Sequence, residues 1–240
     1  MNAGIVIIGD EILSGKVRDE NGPYLIGELA ELGTDVKRME VVGDDLDAIG
    51  DSVLRCHKLC DHVFTSGGVG PTHDDLTLMA IAKAFGVRVV RHPALETLLR
   101  GFYGDHITDA PLRMTELPEG ATLMASENAK WPAVQFHNLY ILPGVPSILR
   151  KKFEAMRQRF VGVPWILRRL TCEMDEGDLA AHLQATLFAH PEVTIGSYPQ
   201  FDRKPFCVLV TLQSRQESTV EAATRDLAAR LGPDIVVARA

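Results

Sequence analysis

Apolar positions along the chain fall into short continuous runs and into stripes spaced by three and four, and the two kinds alternate. The run AGIVIIG (3–9) reads as a buried strand. NGPYLIGELAEL (21–32) reads as a helix with Asn21 at its N-cap, Leu25, Leu29 and Leu32 on one face and Gly33 as its stop. DVKRMEVV (35–42) is strand-like. Leu46, Ile49, Val53, Cys56 and Cys60 then recur at helical spacing, the mark of a helix packed by one stripe. HVFTS (62–66) reads as a strand, LTLMAIAKAFG (76–86) as a helix and VRVV (87–90) as a short strand. This βαβαβα order predicts a mostly parallel sheet with helices on both faces, a three-layer α/β/α sandwich.

Residues 93–103 read as helical, and 104–132 as irregular, punctuated by Pro111, Pro118, Gly120 and Pro132. AVQFHNLYILPG (133–144) gives two strand-like pieces around His137 and Asn138. PSILRKKFEAMRQRF (146–160) gives a long helix with Leu149, Phe153, Met156 and Phe160 on one stripe. VGVP (161–164) reads as a linker, and after it the order changes. Strands are expected at 166–174, 193–198, 206–213 and 235–239. Helices are expected at 176–189, with Leu179, Leu183 and Leu187, and at 217–231, with Val220, Ala223, Leu227 and Leu231. That is βαββαβ, the ferredoxin-like order. The expected organisation is therefore an α/β domain over 1–162 and a small α+β domain over 163–240.

Composition narrows the classes. The chain has 240 residues, 46% hydrophobic and 24% charged, which is ordinary for a soluble globular protein. Its formal net charge is −7 and no Lys/Arg-rich run occurs, which argues against a nucleic-acid partner. No apolar run approaches the ~20 residues of a membrane span, and the opening MNAGIVIIGDE has no basic leader region. Four cysteines, Cys56, Cys60, Cys172 and Cys207, form no disulfide-like framework. A reduced, cytoplasmic protein with no membrane association is the expectation.

Candidate chemistry gathers where strands end. TSGGVGPTHDDLT (65–77) lies between a strand and a helix, where α/β sheets place ligands. Gly67, Gly68 and Gly70 allow backbone N–H groups close to an anion, with Ser66 and Thr72 as hydroxyl donors. It lacks the Walker lysine and is not GxGxxG. A bland alternative is a tight turn with Asp74 or Asp75 capping the helix, yet one Asp suffices for a cap. GDEILSGKVRDEN (9–21) puts Asp10 and Glu11 just past the first strand, and VVGDD (41–45) puts Asp44 and Asp45 past the second. For these the bland readings are a solvated loop and an N-cap at Asp45. LPGVP (142–146) adds a strand-to-helix turn at Gly144. Cys56 and Cys60 lie on the helical stripe and read as packing rather than zinc ligands, and His73 as a loop histidine. No Ser-His-Asp order or nucleophile elbow is present.

Two unit charges ~4 Å apart repel by about 4 kcal/mol at an effective dielectric near 20. Carboxylates beside a phosphate cradle therefore point to a cation, and Mg²⁺ suits few carboxylates plus substrate phosphate. Asp75, Asp74 and Glu11 are the expected metal ligands; Asp75, Asp74, Asp44, Glu11 and Asp10 are the expected catalytic set.

GDEILSGKVRDEN, VVGDD, TSGGVGPTHDDLT and LPGVP resemble the molybdopterin-binding domain of molybdenum-cofactor biosynthesis proteins. The resemblance is closest to the N-terminal part of competence/damage-inducible protein A and the N-terminal half of eukaryotic FAD synthase. GGVGPTHDDLT, NLYILPGVPSILRK and IGSYPQF (195–201) look particularly like the FAD-synthase branch. The resemblance implies an α/β/α sandwich, a GGxGP loop that holds a ligand phosphate, and an active-site acid at Asp75, with Asp44 joining it in pterin-handling members. It further implies metal-dependent hydrolysis of ADP-ribose or FAD-type pyrophosphates, with Mg²⁺, Mn²⁺ or Co²⁺, and K⁺ as an additional candidate. A homo-oligomer, dimer or trimer, is expected from the same relatives. The deamidase-like domain of the longer competence proteins and the adenylyltransferase half of FAD synthase have no counterpart in this chain, so FAD synthesis is not expected. ASENAKWPAVQF (125–136) lacks the glycine-rich APG segment of the competence branch, which weighs against ADP-ribose as preferred substrate. Two other functions stay open: molybdopterin binding or adenylylation, and a non-catalytic nucleotide-binding module.

Overall fold

The computed structural model describes residues 1–104, 107–124, 131–201, 207–232 and 235–236. The chain divides into two compact units, Met1–Gly162 and Val163–Ala240.

The first unit is built on β1 (Asn2–Ile8), β2 (Asp35–Val42), β3 (His62–Ser66), β6 (Thr122–Met124), β7 (Ala133–Phe136) and β8 (Leu139–Leu142). They form one sheet in the order β2-β1-β3-β8-β7-β6. β2, β1, β3 and β8 run parallel, while β7 is antiparallel to β8 and to β6. Alternation along β1 sends Val6 and Ile8 to one face and Ile5 and Ile7 to the other. The first face packs on α3 (Leu46–Leu59) and α4 (Thr77–Phe85) through Ile49, Val53 and Ile81. The second packs on α2 (Asn21–Glu31) and α7 (Pro146–Met156) through Leu25, Leu29, Leu149 and Phe153. Three layers follow, as the alternating pattern requires. On the second face Phe64 stacks on Tyr140 at 5.3 Å between ring centroids and meets Phe160 edge-on at 4.8 Å. Glu40 of β2 bonds to Ser52 Oγ and Arg55 Nη2 of α3, each at 2.6 Å.

Several boundaries differ from the sequence expectation. Asn21 does not cap α2. Asp19 accepts from the amides of Asn21 and Gly22 instead, and the Asn21 side chain is buried elsewhere. Asp45 caps α3 as expected, accepting from Asp47 and Ala48. The short strand near 87–90 is β4 (Val89–Arg91), and it pairs antiparallel with β5 (Glu116–Pro118) outside the main sheet. The stretch read as irregular also holds α6 (Asp109–Arg113) and β6, while α5 (Pro93–Tyr103) falls where a helix was expected. The α7 helix gives way to a 3-10 turn at Arg157–Phe160. Of the segment 125–136, which lacks the APG glycines, residues 125–130 lie outside the described residues.

The second unit holds β9 (Ile166–Cys172), α8 (Glu176–Ala189), β10 (Thr194–Gln200), β11 (Cys207–Ser214), α9 (Glu217–Leu231) and β12 (Ile235–Val236). Its sheet order is β10-β11-β9-β12 with all neighbours antiparallel, the βαββαβ topology. Its core holds Leu170, Leu179, Val208, Val210 and Leu227, whereas Leu187 is exposed. The four cysteines are buried and none forms a disulfide. No helix among the described residues is long and apolar enough to cross a membrane.

Candidate functional site

Because β2, β1 and β3 are neighbours and parallel, their carboxyl ends open on one edge of the sheet. The three acidic clusters of the sequence converge there. After β1 the chain turns at Gly9 into the one-turn helix α1 (Asp10–Leu13), and the Glu11 carboxylate folds back over Gly9. Asp10 and Asp44 hold each other. The Asp44 carboxylate accepts from the Asp10 amide at 2.9 Å, and the Asp10 carboxylate accepts from the Asp44 amide at 3.3 Å. Burial raises the Asp44 pKa above the usual carboxylate range, and the charges of Asp10, Glu11 and Asp74 push the same way, against the hydrogen bond from the Asp10 amide.

The loop after β3 owes its glycines first to its own packing. At Gly67 (φ 108°) a Cβ would run into the Ile8 carbonyl, and at Gly68 (φ 63°) into the Thr77 hydroxyl. The Thr77 hydroxyl donates to Gly67 O at 2.9 Å and the Thr77 amide to Gly68 O at 3.0 Å, which ties the loop to α4. Neither aspartate caps α4. Asp75 instead accepts from the amides of Gly70 (2.6 Å) and Thr72 (2.8 Å) and from the Thr72 hydroxyl. Both of its oxygens are thus used by the loop. Asp74 projects outward with 61% of its side chain exposed. Among the described residues, the loop amides left without a protein acceptor include those of Gly68 and Val69.

The turn between β8 and α7 faces this loop. A Cβ on Gly144 would sit 3.4 Å from Gly67 Cα. Asn21, 6% exposed, joins the two. Its Nδ2 donates to Ser66 Oγ at 2.9 Å and to Gly144 O at 2.7 Å. Ser66 is therefore fully engaged beneath the loop.

Together these elements line a cavity of about 790 Å³, within the range of small-molecule sites. Its polar lining includes Gly67, Gly68, Gly70, Glu11, Asp44, Asp74, Asp75 and Gly144. Its apolar lining includes Leu98, Phe102 and Tyr103 from α5 and Met114, Trp131 and Ile148. Of the residues expected from sequence, Asp10, Ser66 and Thr72 do not line it and act from behind. No group of three or more His, Cys, Asp or Glu among the described residues forms a ready metal cage. Glu11, Asp44 and Asp74 also line the cavity; Asp44 is tied to the Asp10 amide, and Asp74 to Thr72 and, at 3.8 Å, to His73.

Sequence comparison bears on this geometry. A family model described as a probable molybdopterin binding domain matches residues 4–161, and one described as the FAD synthase middle domain matches residues 164–240. The chain belongs to the probable molybdopterin binding domain family. A probable FAD synthase of Caenorhabditis elegans is 29% identical over 98% of the chain, and a CinA-like protein of Kosmotoga olearia is 34% identical over 72%. The chain spans about half the length of these relatives, 50% and 42% respectively. A solved structure, the protein CinA of unknown function from Thermoplasma acidophilum, is 30% identical with a TM-score of 0.62. That match covers 67% of this chain and 98% of the other.

Within this molybdopterin-binding-type domain one lining residue escaped the sequence reading. Lys152 of α7 is 6% exposed, and its Nζ donates to the carbonyls of Trp131 (3.0 Å) and Pro132 (2.5 Å). Its position between Leu149 and Met156 on the buried stripe was the available signal. A lysine inside an RKK run reads as surface by default, and that default hid it.

Proposed function

We propose that the first unit hydrolyses the pyrophosphate link of an ADP-containing dinucleotide of the FAD or ADP-ribose type. The observation that carries this reading is that the glycine loop, the carboxylates of Glu11, Asp44 and Asp74 and an apolar wall line one cavity. The amides of Gly68 and Val69 bind an oxygen of one phosphate. The apolar wall of Phe102, Tyr103 and Trp131 takes a ring system of the ligand. Glu11 and Asp74 would be the carboxylates offered to a divalent cation, Mg²⁺, Mn²⁺ or Co²⁺, whose remaining ligands would be phosphate oxygens and water, since no three acids among the described residues form a cage. Such a cation supplies charge neutralisation on the pyrophosphate and lowers the pKa of an attacking water. Asp44, which lines the cavity beside Glu11 and Asp74, accepts the proton as water adds to phosphorus and the bridging P–O bond breaks, leaving two monophosphates. Asp75 keeps the loop amides aimed rather than touching the reacting atoms.

Purified protein incubated with FAD, ADP-ribose and NAD, each with Mg²⁺, Mn²⁺ and Co²⁺, is expected to release AMP from at least one of them, read by chromatography. No mononucleotide in any arm would exclude hydrolysis. The family assignment favours a second reading, the binding of a pterin phosphate on the same loop. Calorimetry separates the two. A pterin phosphate that binds where dinucleotides do not, without turnover, selects the second.

A further inference from the structure

The cavity has an unbalanced charge. Glu11, Asp44, Asp74 and Asp75 line it, and Lys152 is the basic residue among the described lining residues. An anionic ligand entering such a site meets repulsion unless something positive receives it. Lys152 is buried, and among the described residues no carboxylate pairs with its Nζ. Burial lowers its pKa to about 8, so the ammonium is still the main form near neutral pH. An ammonium has three N–H donors, and two go to the Trp131 and Pro132 carbonyls. Those carbonyls orient the group without neutralising it. A desolvated cation with neutral partners and one spare donor gains most from a charged acceptor.

We propose that Lys152 is a ligand-binding residue, which donates its third N–H to a phosphoryl oxygen of the ligand. The cavity then has two anion contacts, the loop amides of Gly68 and Val69 and the Lys152 ammonium on α7. They come from different elements, the loop after β3 and helix α7, and a ligand with two linked phosphoryl groups offers an acceptor to each. This deepens the reading of the cavity as a phosphate-ester site and rests on it, but it does not require hydrolysis.

Inorganic pyrophosphate is the probe, because it offers phosphoryl oxygens and neither ring nor sugar. The full chain is pulsed with acetic anhydride with and without pyrophosphate, and acetylation of Lys152 is read by peptide mass. Lys58, on the exposed surface of α3, serves as reference. Pyrophosphate is expected to protect Lys152 about tenfold while Lys58 is unaffected. Riboflavin, which has the ring and no phosphate, is expected to protect neither. Lys152→Met is expected to weaken calorimetric binding of pyrophosphate about tenfold or more, and Lys152→Arg to restore part of it. The inference is overturned if pyrophosphate leaves Lys152 as reactive as before, if riboflavin protects it equally, or if a folded Lys152→Met binds pyrophosphate like the wild type. Should Lys152→Met fail to fold, the protection experiment on the wild type decides alone. Lys152-dependent pyrophosphate binding without dinucleotide cleavage would remove the hydrolase reading and leave this one standing.

Discussion

At the scale of single residues, the adjacent acids Asp74 and Asp75 have separate tasks. Asp75 spends its carboxylate on three donors of its own loop, and Asp74 points into solvent at the cavity mouth. Asp75→Asn replaces one acceptor oxygen with a donor, so at least one loop amide loses its partner. A loss of about 1–3 kcal/mol in stability is expected along with lost activity, read by denaturant titration and by AMP release. Asp74→Asn is expected to leave stability within about 0.5 kcal/mol and still reduce turnover. A variant at 74 with full hydrolytic activity would remove that residue from the cation site. The sequence made the cluster legible but not this division, because the 70–72–75 bonding depends on a loop conformation that no periodicity encodes. Lys152 was passed over and Asn21 misread for a related reason. Each has a side-chain type with a strong default, surface for lysine and cap for asparagine, and tertiary contacts override both.

At the scale of elements, legibility followed length. β2 and helices α3 and α5 fall where hydrophobic spacing puts them, since each offers enough positions for a period to register. The region between 104 and 132 did not, because β5 and β6 have three residues each and α6 has five. Two predictions belong here. Gly67→Ala must place a Cβ against the Ile8 carbonyl at φ 108°, joining β1 to the loop by a clash. It is expected to destabilise the domain by roughly 1–3 kcal/mol or more, whereas Gly15→Ala, also at positive φ (71°) but in open space, is expected to cost about 1 kcal/mol. Thermal melts compare them, and equal losses would show that the loop yields to the added carbon. The second concerns the link from β2 to α3. The Arg55 guanidinium, with Ser52 and Arg38, holds the Glu40 pKa down from 4.5 to about 2 despite partial burial. A carboxyl depressed in the folded state contributes stability that is whole above its unfolded pKa and is lost as pH falls. Urea midpoints are therefore expected to drop between pH 4.5 and about 2. Glu40→Gln should lower the midpoint at neutral pH and flatten that acid limb; an unchanged limb would assign the loss to other carboxylates.

At the scale of the whole molecule, the change of rhythm after 161–164 coincides with the break between two units that each bury a core of their own. Among the described residues, every one that lines the cavity lies between Ile8 and Lys152, inside the first unit. A fragment that ends at Gly162 is therefore expected to fold and to keep pyrophosphate binding near that of the full chain. The end point matters. The Gly162 amide donates to Leu32 O at 2.8 Å, and Thr34 Oγ1 donates to Phe160 O at 2.6 Å. A Cβ at 162 would stand 2.5 Å from Gly33 O, so this last residue is fitted against the α2–β2 turn. Ending the chain before Phe160 removes a ring that packs on Phe64, Tyr140 and Phe153, and truncation of such a ring typically costs about 3–5 kcal/mol. The expected series is thus a cooperative melt and full binding for 1–162, and a sharply lower melting temperature for 1–158. If 1–162 folds cooperatively but binds pyrophosphate much more weakly than the full chain, the second unit contributes to the ligand site, and the cavity in the first unit is only part of it.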